Sequence, residues 1–309
     1  MLSWLGRVPP AGWFLITTLS VWAVYVFDHG GAAPGAFPKA SWDGAIFALS
    51  LMAILLAHEM GHYVVARVHG FSTSPPAFIP LPLPGTFGTM GAVIRLRSLP
   101  RSRQALLEMG AAGPIAGAIV AFALLWYAVP LTLPAPEFTP GATVAIFNDP
   151  LVVKIIGVLR TGAPPDRYGV YHPAAEAAWV GCLLTAVNLV PLGQLDGGHV
   201  LNGMFPRWTR SIRWVLLPLA LVGAWFYPGW AVWALVVSLL GAARALPVPM
   251  EPAPPLRSRL VALLVSALFV LTFTPVPVEI ETLPGEPPAA DGAADPAGAT
   301  PAAPQAPPG

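Results

Sequence analysis

One apolar stretch, residues 45–68, constrains this chain most, because it is long enough to cross a bilayer as a single helix. It nevertheless contains the sequence HEMGH, with three ionisable side chains in five positions. A membrane-spanning helix needs about 20 predominantly apolar residues, and ionisable groups within one are costly and tend to be functional. The stretch therefore predicts a transmembrane helix with a polar site built into it.

The spacing within HEMGH indicates a metal site. His58 and His62 are four residues apart and share one face of a helix, where two neutral imidazoles can bind one zinc ion. Glu59 is then free to act as a general base on a water molecule at the metal. A lone histidine in a membrane helix is more often packed or hydrogen-bonded than a ligand. Three ionisable groups together are harder to explain in that way, and we interpret the motif as a zinc site.

The composition is typical of a polytopic membrane protein. Of the 309 residues, 55% are hydrophobic and 10% are charged, and the mean hydropathy is +0.66. The net charge of +1 gives no indication of nucleic-acid binding, so the expected surroundings are the lipid bilayer and no nucleic acid. Cys182 is the one cysteine of the sequence, which excludes an intrachain disulfide.

Hydropathy predicts an all-α membrane protein with about six to seven transmembrane helices. Several of the apolar segments are short for a full span, so their boundaries are approximate. The seven segments lie at about residues 12–27, 44–69, 105–129, 174–193, 211–228, 229–246 and 258–274.

The basic residues predict the orientation of these helices. With the N-terminus in the cytoplasm, 12 Lys and Arg residues face the cytoplasm and four face outside, in agreement with the positive-inside rule. The cytoplasmic set is Arg7, Arg67, Arg95, Arg97, Arg101, Arg103, Arg207, Arg210, Arg213, Arg244, Arg257 and Arg259, and the outer set is Lys39, Lys154, Arg160 and Arg167. We therefore predict a multi-pass protein with a cytoplasmic N-terminus, and the composition is compatible with a bacterial plasma membrane.

A third zinc ligand is expected from another segment, because catalytic zinc usually has three protein ligands and one water molecule. Asp196 is the best candidate, since Pro191 and Gly193 interrupt the fourth helix just before it, at membrane depth. In isolation, an aspartate there is more often part of a solvated Asp-Gly turn at a helix end. Because it occurs together with HEMGH, we interpret Asp196 as a ligand.

The two motifs together resemble those of the site-2 protease family of intramembrane zinc metalloproteases, peptidase family M50. The resemblance rests on HEMGH at residues 58–62 and NLVPLGQLDGGH at residues 188–199, and it extends over about residues 45–201. Residues 172–181 look most like the subgroup without a PDZ domain, which includes plant chloroplast members and their prokaryotic relatives.

The resemblance implies roles for individual residues. It implies one Zn²⁺ per chain bound by His58, His62 and Asp196, with Glu59 as the general base. It also implies that Asn188 lies near the substrate as an oxyanion or backbone hydrogen-bond donor. His199 could be a fourth ligand or a partner of a ligand. We leave it out of the metal set, because a fully ligated zinc would lose its water.

The segment between the second and third helices is apolar but rich in Pro and Gly, so it cannot form a straight helix. Residues 92–96 are typical of a short strand, and we predict a membrane-associated β-hairpin within residues 77–96. Its unpaired edge could pair with an unwound substrate. An interfacial loop lying on the bilayer is the alternative. Residues 110–117 are mostly small, which favours close packing against the catalytic helix.

These segments divide the chain into four predicted regions. They are an N-terminal transmembrane segment with an outer loop (residues 1–43), a catalytic core (44–205), C-terminal transmembrane helices (206–275) and a disordered Pro/Ala-rich tail (276–309). The sequence leaves open whether the loop at residues 130–171 covers the site or meets the substrate outside.

The predicted function is regulated intramembrane proteolysis by a zinc metalloendopeptidase. The substrate would be a single-span membrane protein that unwinds locally, and the resemblance implies that another protease trims it first. One alternative is a membrane metal transporter, although such proteins usually have repeated halves and we find no repeat. Another is a catalytically silent relative that acts as a binding module, which would not need Glu59.

Overall fold

The computed structural model describes residues 9–96, 98, 100–138, 141–239, 246–250 and 252–283. Helices predominate in these residues, together with two antiparallel two-stranded sheets. Their helices are α1 (Pro10–Asp28), α2 (Phe37–Val68), α3 (Arg103–Ala128), α4 (Leu151–Thr161), α5 (Pro173–Leu189), α6 (Asp196–Met204), α7 (Pro206–Gly223), α8 (Gly229–Leu239) and α9 (Leu256–Thr272). Their strands are β1 (Ala77–Pro80), β2 (Thr89–Val93), β3 (Thr143–Phe147) and β4 (Val278–Thr282).

Each of the seven predicted transmembrane segments overlaps a helix, namely α1, α2, α3, α5, α7, α8 and α9, and residues 240–245 of the sixth segment lie outside the described residues. By length and composition, α1, α2 and α3 with its 3₁₀ extension to Leu131 can cross a membrane. Helices α5 and α8 and residues 211–223 are apolar but shorter than a full span. The prediction of a helical polytopic membrane protein is confirmed. Helices α4 and α6 were not among the predicted segments.

Prolines mark the beginnings of several of these helices. Pro10, Pro38, Pro173 and Pro206 occupy the first two positions of α1, α2, α5 and α7. A proline is well suited to those positions, because the backbone N–H that it lacks would have no partner within the helix. Local sequence thus explains where these helices begin.

Helices α2, α3 and α5 form the centre of the bundle. Leu51 and Ile54 of α2, Leu125 of α3 and Trp179 of α5 are almost fully buried in one cluster. Helix α5 presents small side chains to its neighbours, and Gly181 lies directly against Ile54. Small residues let the backbones of membrane helices approach closely, so the apolar core is dense around the polar motif.

The predicted hairpin between the second and third helices is confirmed. Strands β1 and β2 are antiparallel, with Ala77 opposite Val93. The second strand covers residues 89–93 rather than the predicted 92–96, because the chain beyond Val93 leaves the hairpin and its Arg95 carbonyl accepts a hydrogen bond from the Ser74 N–H.

This hairpin runs alongside α1 over most of its length. The rings of Phe14 and Phe78 are 5.1 Å apart near the beginning of α1. At the other end of the helix, the Gly85 N–H donates to the Asp28 carboxylate over 3.0 Å. The hairpin therefore extends from the level of the first turns of α1 to its last residue.

A second group of elements covers the end of the bundle where α1 and α3 end and α2 and α5 begin. We call it the distal cap and define it as the described residues within 129–172 and 274–283. It contains α4 and the β3–β4 sheet, in which Thr143 lies opposite Thr282 and Phe147 opposite Val278. The loop at residues 130–171 therefore packs on this end of the bundle, away from HEMGH.

Strand β4 corrects the predicted boundary of the C-terminal tail. Residues 276–283 were assigned to a disordered segment, but Val278–Thr282 pairs with β3. Apolar and polar residues alternate along these five positions, which is the pattern of a half-buried strand. The rest of the predicted tail, residues 284–309, lies outside the described residues, as do Arg7, Arg97 and Arg244 of the predicted cytoplasmic set.

Candidate metal centre

The two histidines of HEMGH point to the same place on α2. Both lie in the C-terminal half of α2, and their Nε2 atoms are 3.1 Å apart. His58 is buried, and the side chain of His62 is only 13% exposed. The helical spacing of four residues therefore gives the shared face that the sequence predicts.

Asp196 completes the group from a distant part of the chain. Its Oδ2 atom lies 3.1 Å from Nε2 of His58, and its Oδ1 atom lies 3.2 Å from Nε2 of His62. Helix α5 ends at Leu189, a non-helical turn follows, and Asp196 is the first residue of α6. The interruption in the fourth segment is thus the feature that turns this carboxylate towards α2.

These three side chains fit a zinc ion. At bond lengths of about 2.0–2.1 Å, neighbouring ligands of a tetrahedral zinc lie about 3.3 Å apart. The two Nε2 atoms are 3.1 Å apart, and each lies 3.1–3.2 Å from one of the two Asp196 carboxylate oxygens, so the three residues could hold one metal ion. Two imidazole nitrogens and a carboxylate are also among the usual ligands of catalytic zinc. A shared cation explains why they converge in an apolar bundle.

Helix α3 fixes the orientation of both imidazoles. Nδ1 of His62 lies 2.8 Å from the carbonyl oxygen of Met109, to which an Nδ1–H group can donate. That bond would leave the Nε2 lone pair for a metal. The ring of His62 also lies against Gly113, and His58 lies against Gly117. A β-carbon at Gly113 would collide with the ring, so the small-residue face of α3 packs directly on the two histidines, as predicted.

A pair of glycines allows α6 to begin where it does. A β-carbon at Gly197 would meet the carbonyl group of Leu189, and one at Gly198 would lie 2.6 Å from the carbonyl oxygen of Gly193. Because neither position has room for a side chain, the first turn of α6 can fold back on the end of α5. This close approach places Asp196 beside α2.

The other two predicted catalytic residues, Glu59 and Asn188, lie in α2 and α5. Glu59 is partly buried and close enough to His62 and Asp196 to interact electrostatically with both. Asn188 lies in the last turn of α5, one residue before the non-helical turn, and is also partly buried. Neither side chain makes a hydrogen bond to another described residue. Both polar groups are therefore available to a water molecule or a substrate.

His199 lies one turn after Asp196 in α6 and is not one of the three converging residues. Its ring is buried, and its β-carbon lies against Gly110. Its Nδ1 atom has no hydrogen-bond partner among the described residues. The geometry thus agrees with leaving His199 out of the metal set.

Two anchoring groups near the metal centre were missed by sequence reasoning. The guanidinium group of Arg103 is buried and donates to the carbonyl oxygens of Gly203, Met204 and Met250. Glu108 accepts from Ser258 over 2.6 Å and pairs with His69 over 2.8 Å. The sequence analysis assigns Arg103 only a cytoplasmic charge, although a basic residue that opens an apolar helix is a signal for a capping role.

Residues 46–215 match the profile of Peptidase family M50. The matched range includes His58, Glu59, His62, Asn188 and Asp196.

Curated relatives extend the similarity beyond that range. The chain is 30% identical over 249 residues to the probable zinc metalloprotease EGY2, chloroplastic, of Oryza sativa subsp. indica, covering 77% of this chain and 44% of the relative. The protein of the same description from Arabidopsis thaliana is 31% identical over 185 residues, covering 59% of this chain and 32% of the relative. The chain thus spans less than half the length of these relatives.

Among solved structures, the chain is similar to the site-2 protease from Methanocaldococcus jannaschii. The TM-score is 0.39 and the sequence identity is 16%, over 77% of this chain and 92% of the other.

Proposed function

The chain belongs to peptidase family M50, and on that premise we propose that it is a zinc metalloprotease that hydrolyses peptide bonds within or near transmembrane segments. The observation that carries the proposal is the convergence of His58, His62 and Asp196 inside an apolar helical bundle. Two of the helices that form the site, α2 and α3, can cross a membrane by length and composition, which supports a membrane-protein segment as the proposed substrate.

In this proposal, His58, His62 and Asp196 hold one zinc ion. When bound, zinc would act as a Lewis acid that polarises a carbonyl group and lowers the pKa of a water molecule. The Met109 carbonyl keeps His62 oriented, and α3 packs against the face of each ring. The metal ligands are therefore placed before any substrate arrives.

Glu59 is the proposed general base. Its carboxylate accepts a proton from the attacking water and then passes it to the nitrogen of the leaving amine. The carboxylate makes no hydrogen bond to another described residue, so it is free to transfer a proton. Asn188 is proposed to donate its amide N–H to the oxyanion or to the substrate backbone, because its side chain borders the turn that carries Asp196.

The hairpin is the proposed docking edge for substrate. Strand β2 packs against α2, the helix that carries HEMGH, and within the described residues it pairs only with β1. A helical substrate hides its carbonyl groups, and pairing with the other edge of β2 would satisfy its backbone once it unwinds. Single-span proteins with helix-weakening residues, trimmed first by another protease, are the proposed substrates.

The proposed location is a bacterial plasma membrane, with the N-terminus in the cytoplasm. Arg67 lies in the last turn of α2, while Arg103, Arg207 and Arg257 lie at or near the beginnings of α3, α7 and α9. These arginines are at the helix ends that the proposed topology assigns to the cytoplasm. Water would reach the metal centre from this side.

Cleavage of single-span reporters by the purified, zinc-loaded chain tests the proposal. The variants are Glu59→Gln, which removes the proposed base, and Glu137→Gln, the same change at an exposed position in the distal cap. Cleavage within the reporter's membrane segment by wild type and Glu137→Gln, but not by Glu59→Gln, is the expected result. Equal cleavage by all three would refute the role of Glu59. Zinc flux in vesicles without any cleavage would instead favour a transporter.

A further inference from the structure

The distal cap covers a cavity that has no part in the proposed chemistry. Its volume is about 350 Å³, and the bundle contributes Tyr25, His29 and Glu176 to its lining. Glu176 is in the first turn of α5, thirteen residues before the end of that helix at Leu189. At 1.5 Å per residue, the cavity lies about 20 Å from the turn that carries Asp196.

Five aromatic side chains contribute to the cavity wall. Besides Tyr25, it is lined by the rings of Phe138, Phe147, Tyr168 and Tyr171. Phe138 and Tyr168 meet edge to face with ring centroids 6.0 Å apart, and Phe147 is braced by Trp179 at 4.9 Å. The faces of aromatic rings carry a negative potential, so aromatic side chains on a cavity wall favour a cationic ligand.

One buried carboxylate faces this aromatic enclosure. The side chain of Glu176 is only 14% exposed. Its Oε2 accepts a long hydrogen bond of 3.3 Å from the Tyr25 hydroxyl, and its Oε1 is 3.6 Å from Nε2 of His29. Among the described residues, His29 is its one basic neighbour within 4 Å, and that ring is stacked on Tyr25 at 3.8 Å. A buried carboxylate with such weak partners has capacity for a further cation.

The arginine at the cavity does not supply that cation. Arg167 lines the cavity, but its guanidinium group pairs with Glu279 over 2.9 Å and with Glu281 over 3.5 Å. The Tyr168 hydroxyl also donates towards Glu281, at 3.4 Å. The two carboxylates of β4 balance the charge of Arg167, so the cavity keeps a negative character.

We propose that this cavity binds a small organic ammonium ion, with methylated ammonium groups as the favoured class. The aromatic faces contact the methyl groups and stabilise the charge, while Glu176 supplies the opposite charge. An inorganic ion would gain less, because the lining is mostly apolar and offers few oxygen ligands. This site is independent of the proposed protease activity, since it lies at the other end of α5 from the metal centre.

Calorimetric titration of the purified chain with choline chloride tests the proposal. The comparison ligand is 3,3-dimethylbutan-1-ol, which has the shape of choline without its charge, and sodium chloride is the control for ionic strength. Choline should bind saturably, and the neutral compound should bind about tenfold more weakly or not at all, because it lacks the cation–π and carboxylate interactions. Equal affinities for the two compounds, or no saturable binding of choline, would overturn the proposal.

Variants test whether choline binds in this cavity or only through nonspecific attraction to negative charge. Glu176→Gln keeps the shape of the side chain and should raise the dissociation constant for choline about tenfold. Phe138→Leu removes one partly exposed ring and should raise it severalfold. Glu137→Gln is the matched control, because Glu137 is exposed and does not line the cavity. If Glu176→Gln binds choline as wild type does while unfolding at the same temperature, the cavity is not the binding site.

Discussion

The metal centre and the cavity under the distal cap both combine histidine with a carboxylate from the apolar bundle, but their atoms are arranged differently. At the metal centre, the donor atoms of His58, His62 and Asp196 converge to 3.1–3.2 Å. At the cavity under the cap, Glu176 is 3.6 Å from His29 and faces a space lined by aromatic side chains. The first arrangement suits one small metal ion and the second a larger organic cation. Residue type alone therefore does not distinguish the two sites.

The two regions also differ in what holds them in place. Backbone groups and glycines support the metal centre, through the Met109 carbonyl, the Gly113 surface and the close turn at Gly197. Side-chain pairs on the surface support the cap, such as Arg167 with Glu279. A site that must orient reacting groups gains from backbone support, because a shift of about 1 Å can cost about a hundredfold in rate.

The largest expected difference between the two regions is in zinc binding. Asp196→Ala should reduce bound zinc from about one per chain to near zero, and reporter cleavage should fall on the order of a thousandfold or more. Glu176→Ala should retain zinc, since Glu176 contacts none of the three ligands. Elemental analysis of the purified proteins measures both. Zinc retained by Asp196→Ala would show that the third ligand is another residue.

Alanine substitutions on the glycine face of α3 should have a smaller effect, and the loss of stability should differ between the two positions. In Gly113→Ala, the new methyl group would collide with the ring of His62, whereas in Gly117→Ala it would lie 3.1 Å from the β-carbon of His58. Overpacking of this kind costs about 1–3 kcal/mol, and we expect Gly113→Ala to be near the upper end and Gly117→Ala near the lower end. Thermal unfolding in detergent, together with zinc affinity, checks this order. A larger loss in Gly117→Ala would contradict the packing.

Arginines in the two regions should differ in their contribution to stability. Arg103→Met leaves three carbonyl groups without their donor at a buried site, which should lower the free energy of unfolding by about 2–4 kcal/mol. Arg167→Met breaks two exposed ion pairs and should have a much smaller effect. Thermal unfolding of the two variants makes the comparison. Equal losses would mean that the cap depends on its surface pairs more than their exposure suggests.

The smallest expected effect is a pH dependence that belongs to the cap alone. Burial raises the pKa of Asp149, although the hydrogen bond from the Tyr171 hydroxyl opposes that shift. An acid whose pKa is raised on folding stabilises the fold while it is protonated. This contribution is lost as the pH rises from the ordinary pKa of an aspartate, about 4, through its raised pKa in the folded protein. Asp149→Asn should remove this loss without changing zinc content.

Unfolding temperatures at pH values from about 4 to 7 test this dependence. The difference between Asp149→Asn and wild type should grow in favour of the variant as the pH rises. A difference that is constant with pH, or that shrinks, would contradict the assignment. Asp166→Asn serves as a control in the same loop, because Asp166 is more exposed than Asp149.

Several features could be predicted from the sequence because they depend on local spacing. The helical period places His58 and His62 on one face, and the Pro- and Gly-rich segment before α3 forms the predicted hairpin. Asp196 could be predicted as a ligand only because it follows a break in an apolar helix and occurs in the same chain as HEMGH. Strand β4 was missed, because its alternation is only five residues long and its partner β3 lies more than 130 residues earlier.

The sequence by itself therefore determined the membrane helices and the pair of histidines, since apolar length and a period of 3.6 residues are properties of a single segment. Only the tertiary structure decided that the Met109 carbonyl orients His62, that Arg103 turns inward to α6, and that Glu176 faces an aromatic cavity. These contacts join residues from different segments, and no local spacing specifies which of them meet. The physical reason is that packing selects such partners by shape and by the need to satisfy buried polar groups.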